Sequence, residues 1–172
     1  MKLVNRHPRV NMLSPGPGVG GHCIAVDPWF IVSSVPNTSR LIKMARAVND
    51  AKPDWVIEKV TETVATLKTQ SKKLYSNPKI AIYGITFKPD VEDLRESPSL
   101  MIAKKLGRKY PGGVVVVEPF SQQENDFYEY FEIMTYNQAL NYADIHLMLV
   151  DHSAFKGLPK PTGILIDTRG FW

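Results

Sequence analysis

Four short apolar runs separated by helical stretches fill the second half of this chain, and that alternation narrows its fold more than any other feature. Lys79 to Gly84, Val114 to Val117, Ile145 to Val150 and Gly163 to Asp167 read as strands, with Ser97 to Lys109 and Asn137 to Ala143 helical between them. Near-continuous apolar strands joined by helices predict an α/β layer, a Rossmann-like parallel sheet with helices on both faces. Such a sheet takes its ligands at the carboxyl ends of the strands. After the first run only Gly84 is present and the remaining glycines of a dinucleotide fingerprint are missing; Phe87-Lys88-Pro89 instead puts a cation on the rim.

A long helical segment precedes the sheet. Pro36-Asn37-Thr38-Ser39 is a helix-start signal, after which Leu41, Ile42, Ala45 and Val48 recur at helical spacing. Pro53 opens a renewed helix carrying Trp55, Val56, Val60, Val64 and Leu67. An amphipathic stretch of this length needs a partner surface, within the chain or outside it. Arg46, Asn49 and Asp50 read as a solvated face with no chemistry assigned. A Lys/Ser/Asn-rich linker, Gln70 to Pro78, joins this segment to the sheet.

The first 37 residues are loop-rich and hold the sole cysteine, in Pro15-Gly-Pro-Gly-Val-Gly-Gly-His-Cys23. A backbone so dense in glycine can approach a ligand closely. Gly16, Gly18 and Gly21 stand in G-x-G-x-x-G spacing, but Asn11-Met12-Leu13 is a poor strand and Pro15 and Pro17 break the turn, so a cofactor loop is disfavoured. Asp27-Pro28 reads as a helix start with Asp27 as N-cap. Free amides at a helix N-terminus are the setting in which cysteine nucleophiles are found, while most free cysteines are small buried hydrophobes. A cysteine hydrolase would need a histidine base, for which His22 is adjacent and His146 lies in an apolar run.

Composition removes several classes. With 172 residues, 44% hydrophobic and 22% charged, the chain can bury one core with an appended helical piece. The net charge of +4 suits a phosphorylated ligand, and without an Arg/Lys stripe interleaved with aromatics nucleic acid is set aside. No apolar run approaches a membrane span, and Met1 to Pro8 is too short and polar for a signal peptide. A single cysteine allows no internal disulfide, which suits a reducing cytoplasm.

Four motifs in order carry a resemblance. The segment Pro15 to Phe30 resembles the active-cysteine segment of the UDP-glucose/GDP-mannose dehydrogenase family, and Gly84-Ile-Thr-Phe-Lys-Pro-Asp-Val-Glu-Asp-Leu-Arg-Glu-Ser-Pro98 is similar to the motif that opens its UDP-binding domain. Asp151-His152-Ser153 with Phe155-Lys156, and Asp167-Thr-Arg-Gly170, are similar to its later signatures. The resemblance implies oxidation of a UDP-sugar's C6 alcohol to a carboxylate with two NAD, through a thiohemiacetal and a thioester on the nucleophile Cys23, with Asp27 positioning water and no metal. It implies substrate contacts from Arg9, Gly18, Gly20, Gly21, His22, Phe87 and Lys88, and an NAD contact from Arg95. Arg6 and His7 are alternatives to Arg9, which would cross a dimer to reach the sugar. Lys88 as a solvated loop lysine, and Arg95 in a salt bridge to Glu92, Asp93 or Glu96, are the plainer readings.

The same resemblance divides the chain into an active-cysteine region (1–37), central connecting and dimerising helices (38–73) and a UDP-binding α/β domain (74–172), the C-terminal portion of a homodimeric enzyme. On this reading NAD is bound mainly by an N-terminal domain outside the chain, which by itself is inactive. Ala25 and Val26, with His22 and Trp29, point to the family's N-acetylmannosamine branch rather than its UDP-glucose branch. The rival readings are a non-catalytic UDP-sugar-binding and dimerisation module and a fragment of a UDP-glucose-type 6-dehydrogenase.

Overall fold

The apolar runs form strands that pair only in parallel. In a computed structural model describing residues 3–70, 78–120 and 129–172, β1 (Ile80–Tyr83), β2 (Val114–Val117), β3 (Glu132–Ile133), β4 (Ile145–Met148) and β5 (Ile164–Asp167) build one sheet in the order β3-β2-β1-β4-β5. Ile80 lies opposite both Val114 and Ile145, and Tyr83 opposite Val117 and Met148, so the register is continuous across the three central strands. The sequence gives no sign of β3: it is a two-residue edge strand with a charged residue and no apolar run.

Strand alternation assigns the two faces. Ile80, Ile82, Val114 and Val116 pack under α3 (Lys52–Gln70) and α4 (Pro98–Lys109), joined by Val56, Val60, Val64, Ile102 and Leu106. Ala81, Tyr83, Val115 and Val117 face Tyr136 and Ala139 of α5 (Tyr136–Tyr142) and, beside them, Phe155 from the short turn Ser153–Phe155. Helices thus cover both faces, as the sequence predicts, and each fully buried aliphatic side chain contributes about 1.5–3 kcal/mol. Local signals agree with the placement. Ser97 caps α4 by accepting from the Leu100 amide, and Thr135 with Gln138 forms a capping box on α5.

Two further helices, α1 (Cys23–Ser34) and α2 (Arg40–Asp50), stand before α3. The break between α2 and α3 falls where Pro53 signals it. Packing of α2 departs from expectation: Leu41, Met44 and Val48 are exposed, whereas Arg46, read from sequence as solvated, is buried. The linker expected at 70–78, with its boundary at 73/74, lies almost wholly outside the described residues. No described helix is long and apolar enough to cross a membrane.

Candidate active site

The order β3-β2-β1-β4-β5 reverses direction between β1 and β4, which opens a crevice at their carboxyl ends. The loop leaving β1 carries Phe87, half-buried, and Lys88, exposed, with the ammonium 5.3 Å from the Phe87 ring centroid. A buried polar network fixes this loop from beneath. The Asp90 amide donates to His152 Nδ1 at 3.0 Å, which leaves the ring proton on Nε2, 3.2 Å from Glu118 Oε2. Glu118 also accepts from the amides of Ile85 (2.8 Å) and Phe120 (3.0 Å). Asp90 Oδ1 accepts from the amide and hydroxyl of Ser153, and those bonds hold its carboxyl below the usual range. The Thr86 hydroxyl donates to the Lys88 carbonyl at 2.9 Å.

The cysteine segment lies directly on this loop. A Cβ on Gly20 would collide with the Glu96 carbonyl and stand 2.8 Å from Pro98 Cδ, and one on Gly21, whose φ is +84°, would stand 3.0 Å from the Phe87 ring. Gly18 is similarly close to Pro98. The three glycines expected to touch substrate therefore serve first to let two backbones meet. Arg169 fastens the same segment from the far side, donating to the Pro15 carbonyl at 2.8 Å and to Asp151 Oδ1 at 2.6 Å.

Helix α1 begins at Cys23, five residues before the expected first helical residue Pro28, so Asp27 is not its N-cap and Pro28 lies inside it. The thiol is exposed at the first helical residue, and Asp27, also exposed, follows at the i+4 spacing that puts both on one face. His22 is exposed and lies near Asp93. Asp93 is held well below the carboxylate range, chiefly by the Arg95 guanidinium, whose Nη2 is 2.7 Å away. In this structure Arg95 is thus in the ion pair that is its plainer reading. Arg9, Arg6 and His7 are exposed, and the side chains of Arg6 and Arg9 bond to no other described residue. The structure brings Gly20, Gly21, Phe87 and, beside them, His22 and Arg95 together; it does not bring Arg9 to them.

Of the two histidines a cysteine hydrolase could use as base, the fold removes His146 and leaves exposed His22 beside the thiol. His146 is buried in β4 with Nδ1 2.9 Å from the Tyr83 hydroxyl, so it cannot serve an exposed thiol on α1. Burial pulls its pKa down and pushes that of Tyr83 up. No group of three metal-ligating side chains occurs among the described residues. A cavity of about 640 Å³ between α1, α2 and α4 is lined by Trp29, Asp50 and Met101 and includes neither Cys23 nor Lys88.

Sequence reasoning gave no role to Arg46, Asn49 or Glu118, and quoted His152 and Arg169 only within motifs. Glu118 and His152 share a signal: each is a polar residue just beyond the carboxyl end of an apolar strand run.

Residues 81–172 match the UDP-binding domain of the UDP-glucose/GDP-mannose dehydrogenase family, and residues 1–51 match that family's central domain. Over its whole length the chain is 49% identical to a UDP-N-acetyl-D-mannosamine dehydrogenase of Yersinia pestis, covering 42% of that protein. It is 45% identical to an NDP-N-acetyl-D-galactosaminuronic acid dehydrogenase of Ralstonia solanacearum, covering 40% of it. The chain spans about two fifths of the length of these curated relatives. The solved UDP-N-acetyl-mannosamine dehydrogenase of Staphylococcus aureus superposes with a TM-score of 0.73 at 33% identity, over 99% of this chain and 39% of that one. With the UDP-binding match alone taking in more than half of its residues, the chain belongs to the UDP-glucose/GDP-mannose dehydrogenase family.

Proposed function

We propose that this chain supplies the cysteine-bearing and UDP-binding parts of a nucleotide-sugar 6-dehydrogenase that converts the C6 alcohol of a UDP-N-acetylhexosamine, N-acetylmannosamine before others, to a carboxylate. The observation that carries this reading is the seating of the Cys23 segment on the Phe87-Lys88 loop at the β1/β4 crevice. Residues 1–37 present the thiol, 38–73 connect and dimerise, and 74–172 bind UDP. The enzyme works in the cytoplasm as a homodimer, with no nucleic-acid or membrane partner.

At the β1/β4 crevice the described residues do not by themselves form a dinucleotide site. Gly84 is packed against Val150, and both Glu118 oxygens are occupied by amides and His152. NAD, the hydride acceptor, is held mainly by the part of the relatives' length that this chain does not span, with Arg95 as this chain's contribution after release from Asp93. The chain's own residues do the rest. Lys88 and the Phe87 face hold the diphosphate and nucleoside, with the Gly18–His22 backbone closing over them. Arg9 meets the sugar from the partner subunit. Cys23 sulfur adds to the C6 aldehyde carbon while the carbonyl oxygen takes a proton, giving a thiohemiacetal. Its C6 hydride and hydroxyl proton leave, the hydride to the second of the two NAD that a four-electron oxidation consumes. The resulting thioester is cleaved by a water that Asp27 orients, which frees the carboxylate and returns the thiol.

In a full-length dehydrogenase, Cys23→Ser stops acid release and leaves nucleotide binding near wild type; undiminished acid formation would remove the thiol from the reaction. Calorimetry of UDP on the isolated chain and on Lys88→Ala tests the nucleotide site, and equal binding by both would place it elsewhere. The isolated chain gives no NADH from any UDP-sugar. A second reading, a UDP-sugar-binding and dimerisation module without catalysis, draws support from the exposed Leu41, Met44 and Val48 on α2.

A further inference from the structure

Helix α2 carries three polar residues within one turn that the scheme above does not use. Arg46 is 8% exposed on a helix whose apolar residues face outward. Its Nη2 lies 2.6 Å from Asp50 Oδ1, and Nη1 donates to the Ile24 carbonyl at 3.5 Å. Of the Arg46 nitrogens, Nε is buried without a partner among the described residues. That carbonyl has a specific need. Inside α1 it should receive the amide of residue 28, and residue 28 is Pro28, which has none. Next to Arg46, Asn49 Oδ1 accepts the Val19 amide at 3.0 Å while Nδ2 donates to Asp50 Oδ1 at 3.2 Å. Two tethers sharing Asp50 thus grip the chain at residues 19 and 24, on either side of Gly20-Gly21-His22-Cys23.

From this geometry we infer that Arg46 and Asn49 are positioning residues for Cys23, holding the turn that bears the thiol in one register against the Phe87 loop. The functional consequence rests on the reading of Cys23 as the reacting thiol; neither residue touches substrate. The start of α1 requires outside support. His22 makes no side-chain cap bond, the first turn has no acidic residue, and Pro28 removes an internal hydrogen bond. A guanidinium with several donors in a fixed fork spans the carbonyl and Asp50 together, which an ammonium at the end of a shorter reach does not. Asp50 is about half exposed, so loss of Arg46 leaves it hydrated rather than stranded.

The test is amide hydrogen exchange over residues 19–29 of the chain, paired with kcat and KM in a full-length dehydrogenase. Arg46→Lys speeds exchange at the first hydrogen-bonded amides of α1, those of Asp27 and Trp29, about fivefold, the factor a single net hydrogen bond corresponds to. Adding Pro28→Ala returns an amide to the Ile24 carbonyl and restores the wild-type rate. Asn49→Ala speeds exchange at Val19, and Pro28→Ala does not rescue it. In the enzyme both single variants lower kcat about tenfold or more with KM for the sugar nucleotide within about twofold, because they displace the thiol and not the ligand contacts. Unchanged exchange in both variants, failure of Pro28→Ala to rescue Arg46→Lys, or a loss confined to KM overturns the inference. A Cys23→Ser enzyme that still releases acid overturns the reading beneath it, and does so without altering the exchange result.

Discussion

Replacing Gly20 with alanine tests whether the cysteine segment and the sheet domain are locked together by backbone contact. The added methyl would fall inside contact distance of the Glu96 carbonyl, 2.8 Å from Pro98 Cδ and 3.1 Å from Phe87 Cβ. Carbon atoms ordinarily rest about 3.5–4 Å apart, so something must move by about 1 Å. The sheet side is poorly placed to yield. Glu96 sits at φ +49°, and Ser97 beside it donates to the Ile85 carbonyl at 2.6 Å while capping α4. The loop must therefore lift, at a cost of about 2 kcal/mol for a forced overpacking of this kind. In a chain of this size that loss lowers the melting temperature by about 4–8 °C. Urea denaturation of Gly20→Ala, alone and with Pro98→Ala, measures it. Pro98→Ala removes one of the three contacts but not the carbonyl, so the double variant regains only part of the loss. A Gly20→Ala midpoint within about 0.5 kcal/mol of wild type, the range of an ordinary surface change, would refute the tight seating.

Glu118→Gln should destabilise by about 1–3 kcal/mol in urea titration, because a carboxamide puts donors where the Ile85 amide, Phe120 amide and His152 all need an acceptor; an unchanged midpoint would show the network to be dispensable. Burial lowers the pKa of His146 from 6.5, so the unfolded chain binds more protons than the folded one between the two values. Stability is then full above about pH 6.5 and falls as the pH drops below it. His146→Gln keeps an acceptor for the Tyr83 hydroxyl and should flatten that fall; equal pH slopes would assign it to other groups. Asp93→Asn frees the Arg95 guanidinium and should tighten NAD binding in a full-length dehydrogenase, measured by fluorescence titration, whereas unchanged affinity would leave Arg95 with a structural role alone.

The sheet was legible because its strands announce themselves: Ile80-Ala-Ile-Tyr83 and Val114-Val-Val-Val117 are buried on both faces and need no partner information to be recognised. The candidate site could be named from sequence only where glycine, cysteine and lysine stand in family motifs, and within those motifs the structure shows Gly20, Gly21 and Phe87 in contact. Arg46 was misread because helical periodicity describes a helix against a generic apolar surface, and the surface meeting α2 contains a carbonyl that Pro28 leaves open. The start of α1 was misplaced for a related reason. Asp27-Pro28 has the form of an N-terminus, yet with the carbonyl satisfied from α2 the helix runs back to Cys23. Long-range polar contacts such as Asp90 with His152, 62 residues apart, leave no local periodicity to read.

The bond from Arg169 to the Pro15 carbonyl spans 154 residues of chain, and it ties the cysteine segment to β5. That strand forms the sheet's edge and is its least buried long strand, with Ile164 exposed and Leu165 to Asp167 only half-buried. Local opening in proteins starts at such margins and needs far less free energy than unfolding the core. The Pro15 end of the cysteine segment consequently shares the opening free energy of the margin, whereas Gly20 and Gly21 stay seated on the β1 loop and Pro98. Excursions of β5 can release that end while the rest of the sheet remains closed and the already exposed thiol keeps its place.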